Sequence, residues 1–327
     1  MRGPTLARRA FLAGAGAALL APPHLARAAE PMGFWGPPAA PSIALANAVA
    51  SGDLKAIEAN AVFKTWRTPD EMRAGLASGA MQVVIVPTNV AANLYNRGLG
   101  VHLLNVMTRG LLYVVASEKV TRVEDLAGKK VAVPFRNDMP DFILRRLLAR
   151  AGLKIGSDVT IEYAGTPPEA MQMLLAGRVD AALLAEPGAT AAILRAKVSL
   201  TWLTRAIDCQ KEWAKIIGGE PFIPQTGVVV TKPFVERVGR KGLETLQSAL
   251  QSAVDFTVNH PYRASVAAAT ELGLLSPVVA EAIPHSNLAA LPASSIRPGL
   301  ERFFSILAED DPRIIGGKLP DDAFYAL

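Results

Sequence analysis

The chain has 327 residues, half of them hydrophobic, and a formal net charge of +5. Its first 28 residues contain four arginines and no acid, so only about +1 belongs to the remainder, which excludes a strongly basic nucleic-acid-binding surface. Cys209 is the only cysteine, which excludes an internal disulfide and a Cys-rich metal or redox site, and we expect it to be a small buried residue.

The N-terminal residues have the order of an export signal. Adjacent Arg8 and Arg9 precede an apolar run that ends at Pro22-Pro23, and Ala26-Arg27-Ala28 is a small-x-small cleavage site. The run is shorter than the roughly 20 residues that span a membrane. We therefore expect a twin-arginine (Tat-like) signal peptide over residues 1–28, cleaved near Ala28, and a soluble periplasmic protein without a lipid anchor.

The next hydrophobic runs predict alternating strands and helices of an α/β fold, and the remaining length of roughly 300 residues suits two lobes better than one core. The predicted elements of the first half are a strand near 31–35, a helix over about 42–51, and strands over 61–66, 101–106 and 111–116.

An internal repeat organises the chain. Thr68-Pro69-Asp70-Glu71, a helix closed by Gly79 and a buried strand recur 98 residues later, beginning at Thr166-Pro167-Pro168-Glu169. Threonine caps each helix, proline occupies the first turn, and glutamate reaches back to the cap. One such helix–strand unit in each half predicts two similar lobes that face each other.

The repeat also aligns the residues that follow its two strands. Ligands of open α/β sheets sit beyond the carboxyl ends of the strands. Thr88, followed by Asn89, aligns with Glu186, so we expect these side chains to point into a cleft between the lobes.

The second half continues the pattern. Its predicted elements are a strand over 129–133, helices over 139–151, 189–196 and 211–217, a returning strand over 225–231, and four helical stretches that include 241–259 and 295–307. Two crossings between the lobes, near 111–116 and 224–229, predict a hinge.

The segment Val123–Val133 resembles the one that opens the second lobe of the nitrate/sulfonate/taurine and NMT1/THI5-like solute-binding proteins, and the Glu186-Pro187 pair belongs to the same pattern. The resemblance covers roughly residues 31–270. It implies a type II periplasmic binding protein that closes on its ligand by a hinge motion. The expected lobes are 29–114 with 225–327, and 115–224.

The resemblance implies a first binding loop at Trp35, which supplies either an apolar wall or an ordinary buried core side chain. It also implies that Phe135, Arg136, Asn137 and Asp138 begin a helix at the cleft. Asp138 and Asp141 at that helix start would oppose an anion by roughly 1 kcal/mol each.

Arg136 and Arg109 are candidate counter-charges at strand ends, and Gln225 and Thr226 offer an amide and a hydroxyl where the chain returns. Glu186 either binds a ligand amine or amidine, or forms an ion pair with a neighbouring arginine or lysine. These residues favour an aromatic or amine-bearing small molecule over nitrate or an alkane sulfonate.

The function that follows is the capture of a small molecule for an ABC permease and ATPase, by a monomer without metal or cofactor. The histidines lack metal-ligand spacing, and neither a nucleophile elbow nor a P-loop is present. Two alternatives stay open. One is a THI5-like pyrimidine-synthesis enzyme, which the missing Cys/His-rich segment and the leader oppose; the other is a sensor subunit that presents its ligand to a membrane receptor.

Overall fold

The computed structural model describes residues 31–327, so the signal peptide expected at 1–28 lies outside the described residues. Two five-stranded mixed sheets form its centre, and each has helices on both faces. In spatial order, the first sheet consists of β2 (Val62–Thr65), β1 (Gly33–Gly36), β3 (Val83–Pro87), β11 (Thr226–Thr231) and β4 (Val101–Leu103).

The second sheet repeats this arrangement. In spatial order it consists of β8 (Thr160–Ala164), β7 (Lys130–Pro134), β9 (Ala181–Ala185), β6 (Leu112–Ala116) and β10 (Thr204–Asp208). In both sheets the first three strands are parallel and the last two antiparallel to their neighbours. The fold is therefore two similar α/β lobes.

The helices follow the strands in matching order in the two lobes. They are α1 (Pro41–Ser51), α2 (Pro69–Ser78), α3 (Thr88–Asn96), α4 (Met139–Arg150), α5 (Pro167–Leu175), α6 (Gly188–Val198), α7 (Cys209–Ile217), α8 (Lys232–Asn259), α9 (Pro261–Leu272), α10 (Ser276–Ala282) and α11 (Arg297–Asp310). The order β1-α1-β2-α2-β3-α3 corresponds to β7-α4-β8-α5-β9-α6. The repeat therefore covers three strands and three helices of each lobe.

The predicted helix caps are present, with one correction. The hydroxyls of Thr68 and Thr166 accept hydrogen bonds from the third helical N–H of α2 and α5. The glutamates bond one residue further back than expected: Glu71 accepts from the N–H of Arg67 (2.7 Å) and Glu169 from that of Gly165 (2.8 Å).

One predicted strand is divided. Residues 101–106 were expected to be continuous, but β4 pairs with β11, whereas β5 (Asn105–Thr108) pairs with β12 (Leu288–Pro292). The side-chain Oδ1 of Asn105 accepts the N–H of Val228 (3.2 Å), so a side chain replaces the main chain as partner and the pairing ends there.

Two edge strands, β8 and β10, were not predicted because their side chains are largely half-exposed and lack an apolar run. Helix α8 begins nine residues before the expected start, at Lys232, and is interrupted at Gly239, whose φ of +63° is not helical.

The chain crosses between the sheets at residues 109–111 and again at residues 218–225, which join α7 to β11. The boundary predicted after residue 114 therefore falls inside β6, whose strand pairing lies wholly in the second sheet.

The C-terminal helix α11 is a third link between the lobes. Phe303 packs edge-on against Trp213 of the second lobe, with ring centroids 5.5 Å apart. The next residue, Phe304, contacts Phe324, which lies beside the first lobe. Arg146 on α4 pairs with Glu309 and Asp310. The largest apolar cluster accordingly contains buried residues of both lobes.

No single helix within residues 31–327 is long and apolar enough to cross a membrane, although α9 and the segment from Ser276 to His285, bent by 116°, pass this test together by length and composition. In the fold, their apolar side chains pack against Ile43 of α1.

Candidate functional site

The lobes meet at the carboxyl ends of their sheets. The N–H of Ala40, after β1, donates to the carbonyl oxygen of Glu186, after β9, at 2.9 Å. Arg73 of α2 reaches across to Asp138 at the start of α4, with a nitrogen–oxygen distance of 3.1 Å. The two lobes are therefore in contact at the edge where α/β proteins bind ligands.

A cleft of about 760 Å³ opens at this edge. Helix α3 of the first lobe lines one side, α4 of the second lobe lines the other, and residues 310–314 close one end. The lining residues are Arg73, Asn89, Val90, Asn93, Arg97, Asn137, Asp138, Phe142, Arg145, Arg146, Ala149, Asp310, Asp311, Arg313 and Ile314. Arginines outnumber carboxylates in this lining, but Arg73, Arg145, Arg146 and Arg313 pair with carboxylates of the described chain, and four apolar side chains interrupt the charges.

The N-terminus of α4 is occupied by the protein's own carboxylates, as the sequence predicted. Asp138 accepts the N–H of Met139 at 2.9 Å. Buried Asp141 accepts the N–H of Asn137 at 2.8 Å and pairs with Arg145, also at 2.8 Å. The positive end of this helix dipole is therefore already compensated.

Asp138 is itself a perturbed group. Burial raises the pKa of its carboxyl, and Arg73 and the N–H of Met139 offset this only in part. Since a buried carboxylate is costly without compensation, Arg73 is the side chain that opposes this rise in the pKa of Asp138 while joining the lobes.

The N-terminus of α3 is different, because no side chain of the described chain caps it. The N–H of Thr88 donates to the carbonyl oxygen of Gln225 (3.0 Å), and the Thr88 hydroxyl donates to that of Pro224 (2.6 Å). Thr88 thus fastens the second crossing segment. The adjacent Asn89 is 3% exposed, lines the cleft, and has a side-chain Oδ1 without a partner.

Glu186 has its partners within its own lobe. Its carboxylate is fully buried and accepts from Arg205 Nε at 2.6 Å, from the Thr190 hydroxyl at 2.8 Å and from the Thr190 N–H at 3.1 Å. Of the two readings left open by the sequence, the ion pair is the one that the structure contains. Only the main-chain carbonyl of Glu186 reaches the other lobe.

Trp35 packs at the margin of the largest apolar cluster, on the first sheet. Its indole Nε1 has no hydrogen-bond partner among residues 31–327 and would lie 2.4 Å from a Cβ on Gly33, so the ring folds back over the start of β1. Lys64 lies over the ring, 5.3 Å from its centroid. Trp35 thus combines core packing with an indole donor that has no partner among the described residues.

The remaining predicted residues are dispersed. Exposed Arg109 stacks on Phe222 at 5.3 Å, where the two crossing segments meet. Arg136 is exposed and stacks on Tyr163 at 5.1 Å. Phe135 is half-buried in the turn after β7, with a positive φ of 61°. Gln225 and Thr226 are buried, and the oxygens Oε1 and Oγ1 of their side chains have no partner among the described residues.

The sequence missed the arginines of the cleft, because helical arginines are usually read as solvated surface. One signal was present: Asp141 and Arg145 are four residues apart on α4, the spacing of a helical ion pair. Arg145 also donates to the hydroxyl of Tyr163 at 2.8 Å, which holds its guanidinium beside the cleft.

Within the described part of the chain, no group of three His, Cys, Asp or Glu side chains could hold a metal ion. Cys209 is buried, as expected, and burial raises the pKa of its thiol well above the usual range. A thiol in that state is a poor nucleophile.

The two lobes, their matching sheets and the cleft between them define the type II periplasmic binding protein fold. A family model described as the NMT1-like family matches residues 71–270, and the chain belongs to that family.

Solved structures agree with this fold. An ABC transporter protein from Parabacteroides distasonis superposes with a TM-score of 0.73 at 23% identity, covering 90% of this chain and 98% of the other. The periplasmic aliphatic sulphonate binding protein SsuA from Escherichia coli gives 0.67 at 18% identity, covering 90% and 96%. The periplasmic nitrate-binding protein NrtA from Synechocystis gives 0.59 at 12%, covering 77% and 70%. No curated protein sequence matches the chain.

Proposed function

We propose that this protein is the solute-binding subunit of an ABC importer, which captures a small molecule between its lobes and delivers it to a membrane permease and its ATPase. One observation carries the proposal: buried polar atoms without partners, on Asn89 and Gln225, lie where the carboxyl ends of two facing sheets meet. Buried polar groups are nearly always paired, so such atoms favour a ligand that completes them. The structural relatives named as binding proteins support the same role.

Closure follows from the contacts between the lobes. The Arg73–Asp138 ion pair and the hydrogen bond from Ala40 to Glu186 exist only when the lobes are together. A solute that bridges α3 and α4 adds to these contacts and shifts the population toward the closed form. The permease then distinguishes loaded from empty protein by shape.

A thermal-shift screen tests the proposal, with aminopyrimidines, amino sulfonates, nitrate and aromatic carboxylates as solute classes. A solute at a hundred times its Kd stabilises the folded form by about 2.7 kcal/mol, which raises the melting temperature by several degrees. Solution scattering should show a smaller radius of gyration with the stabilising solute. If no class produces a shift, and native mass spectrometry of protein from its own periplasm shows no bound molecule, a solute-binding role is wrong.

The location of the protein is the second part of the proposal. We propose that residues 1–28 direct export through the Tat pathway, with cleavage near Ala28, and that the mature protein works in the periplasm as a monomer. Changing Arg8 and Arg9 to lysine keeps the charge and removes the paired guanidinium groups, so precursor should accumulate in the cytoplasm. Undiminished periplasmic protein in cell fractionation would contradict this route.

A further inference from the structure

The uncapped start of α3 has the properties of a ligand subsite. The first N–H groups of a helix have no partner within the helix, and they carry the positive end of its dipole. In α3 the N–H of Thr88 is taken by Gln225, and no described side chain caps the following ones. Helix α4 faces the same cleft, but the N–H of Met139 is already bonded to Asp138, Pro140 has no N–H to offer, and Asp141 accepts the N–H of Asn137 just before the helix.

The side chains beside this helix start provide independent support for a ligand. Asn89 is 3% exposed and Gln225 is 5% exposed, and the amide oxygen of each is buried without a partner. The two are neighbours, since the carbonyl of Gln225 accepts the N–H of the residue before Asn89. A 180° turn of either amide exchanges its acceptor for two donors without a change in shape.

The hydrogen-bond donors at the start of α3 match a carboxylate better than other acidic groups. The N–H groups of Asn89 and Val90 and the Asn89 side-chain amide lie together at the start of α3, and the main chain of Gln225 is bonded beside them. A carboxylate has two oxygens with about four acceptor sites for such donors. A sulfonate, with three oxygens, would leave acceptors unpaired in a buried place. Val90, Phe142 and Ile314 line the cleft beyond this point and suit an apolar body.

We propose that the start of α3, with Asn89 and Gln225, binds the carboxylate of an organic acid whose apolar part lies along the cleft between α3 and α4. The proposal rests on the solute-binding role above and assigns the solute class. It moves the acidic group of the ligand from α4, which carries its own acids, to the opposite lobe.

Four probes that share one ring isolate the charge of the ligand: benzoate, benzenesulfonate, benzamide and benzamidine. Hexanoate and hexanamide form a second pair without the ring. In calorimetric titrations the two carboxylates should bind at least about tenfold more tightly than their amides, because charge-assisted hydrogen bonds are roughly twice as strong as neutral ones. Tighter binding of benzamidine or benzenesulfonate, or no binding of either carboxylate at millimolar concentration, would overturn the subsite.

The Asn89→Asp variant sharpens the test. An acid in the first turn favours the helix, so the melting temperature should stay the same or rise, while carboxylate affinity should fall by about tenfold or more. Asn60→Asp is the matched control, with the same charge change on an exposed residue of the first lobe outside the cleft lining, and should change affinity by less than about threefold. Asn89→Ser, which keeps a donor and adds no charge, should lose less affinity than the aspartate.

The outcome also separates this proposal from the one on which it rests. A solute of another class that binds and closes the lobes, with unchanged affinity in Asn89→Asp, would remove the carboxylate subsite and leave the solute-binding role intact. Equal losses in the two aspartate variants would likewise overturn it, since only the net charge of the protein would then matter.

Discussion

The Arg73–Asp138 pair joins the lobes with an asymmetry that can be measured. The Arg73 side chain is 39% exposed, whereas that of Asp138 is 7% exposed. Arg73→Gln leaves a buried carboxylate with only the N–H of Met139, and should destabilise the protein by about 1–3 kcal/mol. Asp138→Asn leaves a guanidinium that water still reaches, so its cost should stay within about 1 kcal/mol.

The pH dependence has a defined sign. Burial raises the pKa of Asp138 above its unfolded value, and Arg73 opposes that rise. Folding therefore favours the protonated form of Asp138. The stability that this form contributes is present in acid and is lost as the pH rises through the folded-state pKa. Removing Arg73 raises this pKa further. The loss of folding stability in Arg73→Gln should thus grow with pH and vanish below the usual aspartate pKa of about 4.

Urea unfolding of both variants and the wild type at acidic and near-neutral pH measures these differences. Arg240→Gln is the matched control, because the Arg240–Glu244 pair, at 2.9 Å, is exposed on α8 and should contribute less than about 0.5 kcal/mol at any pH. A pH-independent loss in Arg73→Gln, or equal losses from the two partners of the buried pair, would refute the reasoning.

Two further predictions concern residues away from the cleft. Glu186→Gln should lower the stability of the protein by about 2 kcal/mol in urea unfolding, because Arg205 then lacks its buried counter-charge. A loss of ligand affinity with unchanged stability would instead support direct binding of the ligand by Glu186. Gly227→Ala should destabilise the protein by about 2 kcal/mol or more, because the added Cβ would lie 2.0 Å from the carbonyl oxygen of Asn105. Gly219→Ala is the control and should be nearly neutral, since open space surrounds that residue. Equal effects of the two substitutions on stability would contradict this packing.

Most of the secondary structure was predictable because its signals are local. The threonine caps of α2 and α5 lie next to the turns that they stabilise, and the buried strands β3 and β9 are continuous apolar runs. The edge strands β8 and β10 escaped prediction, since they are defined by hydrogen bonds to a neighbour distant in sequence.

The candidate site was predictable only in part. Strand ends placed Asn89 and Asp138 beside the cleft, but the Thr88 side chain, expected to point into it, bonds the second crossing segment instead. Glu186 occupies the expected strand end, yet its carboxylate turns to Arg205, which is 19 residues away in sequence. A strand position fixes where a residue lies, but the partner of a charged side chain depends on which distant residue packs beside it.

The sequence by itself determined the two-lobed α/β architecture, because the repeat and its helix caps encode the same unit twice. Only the tertiary structure showed that the start of α3 is left open beside Asn89, whereas the acids that close α4 were already visible in the sequence. It also revealed α11 as a third link between the lobes. Helix caps form from contacts a few residues apart, whereas the cleft forms between helices distant in sequence. Two of its ion pairs, Arg73–Asp138 and Arg146–Asp310, form only once those distant segments meet.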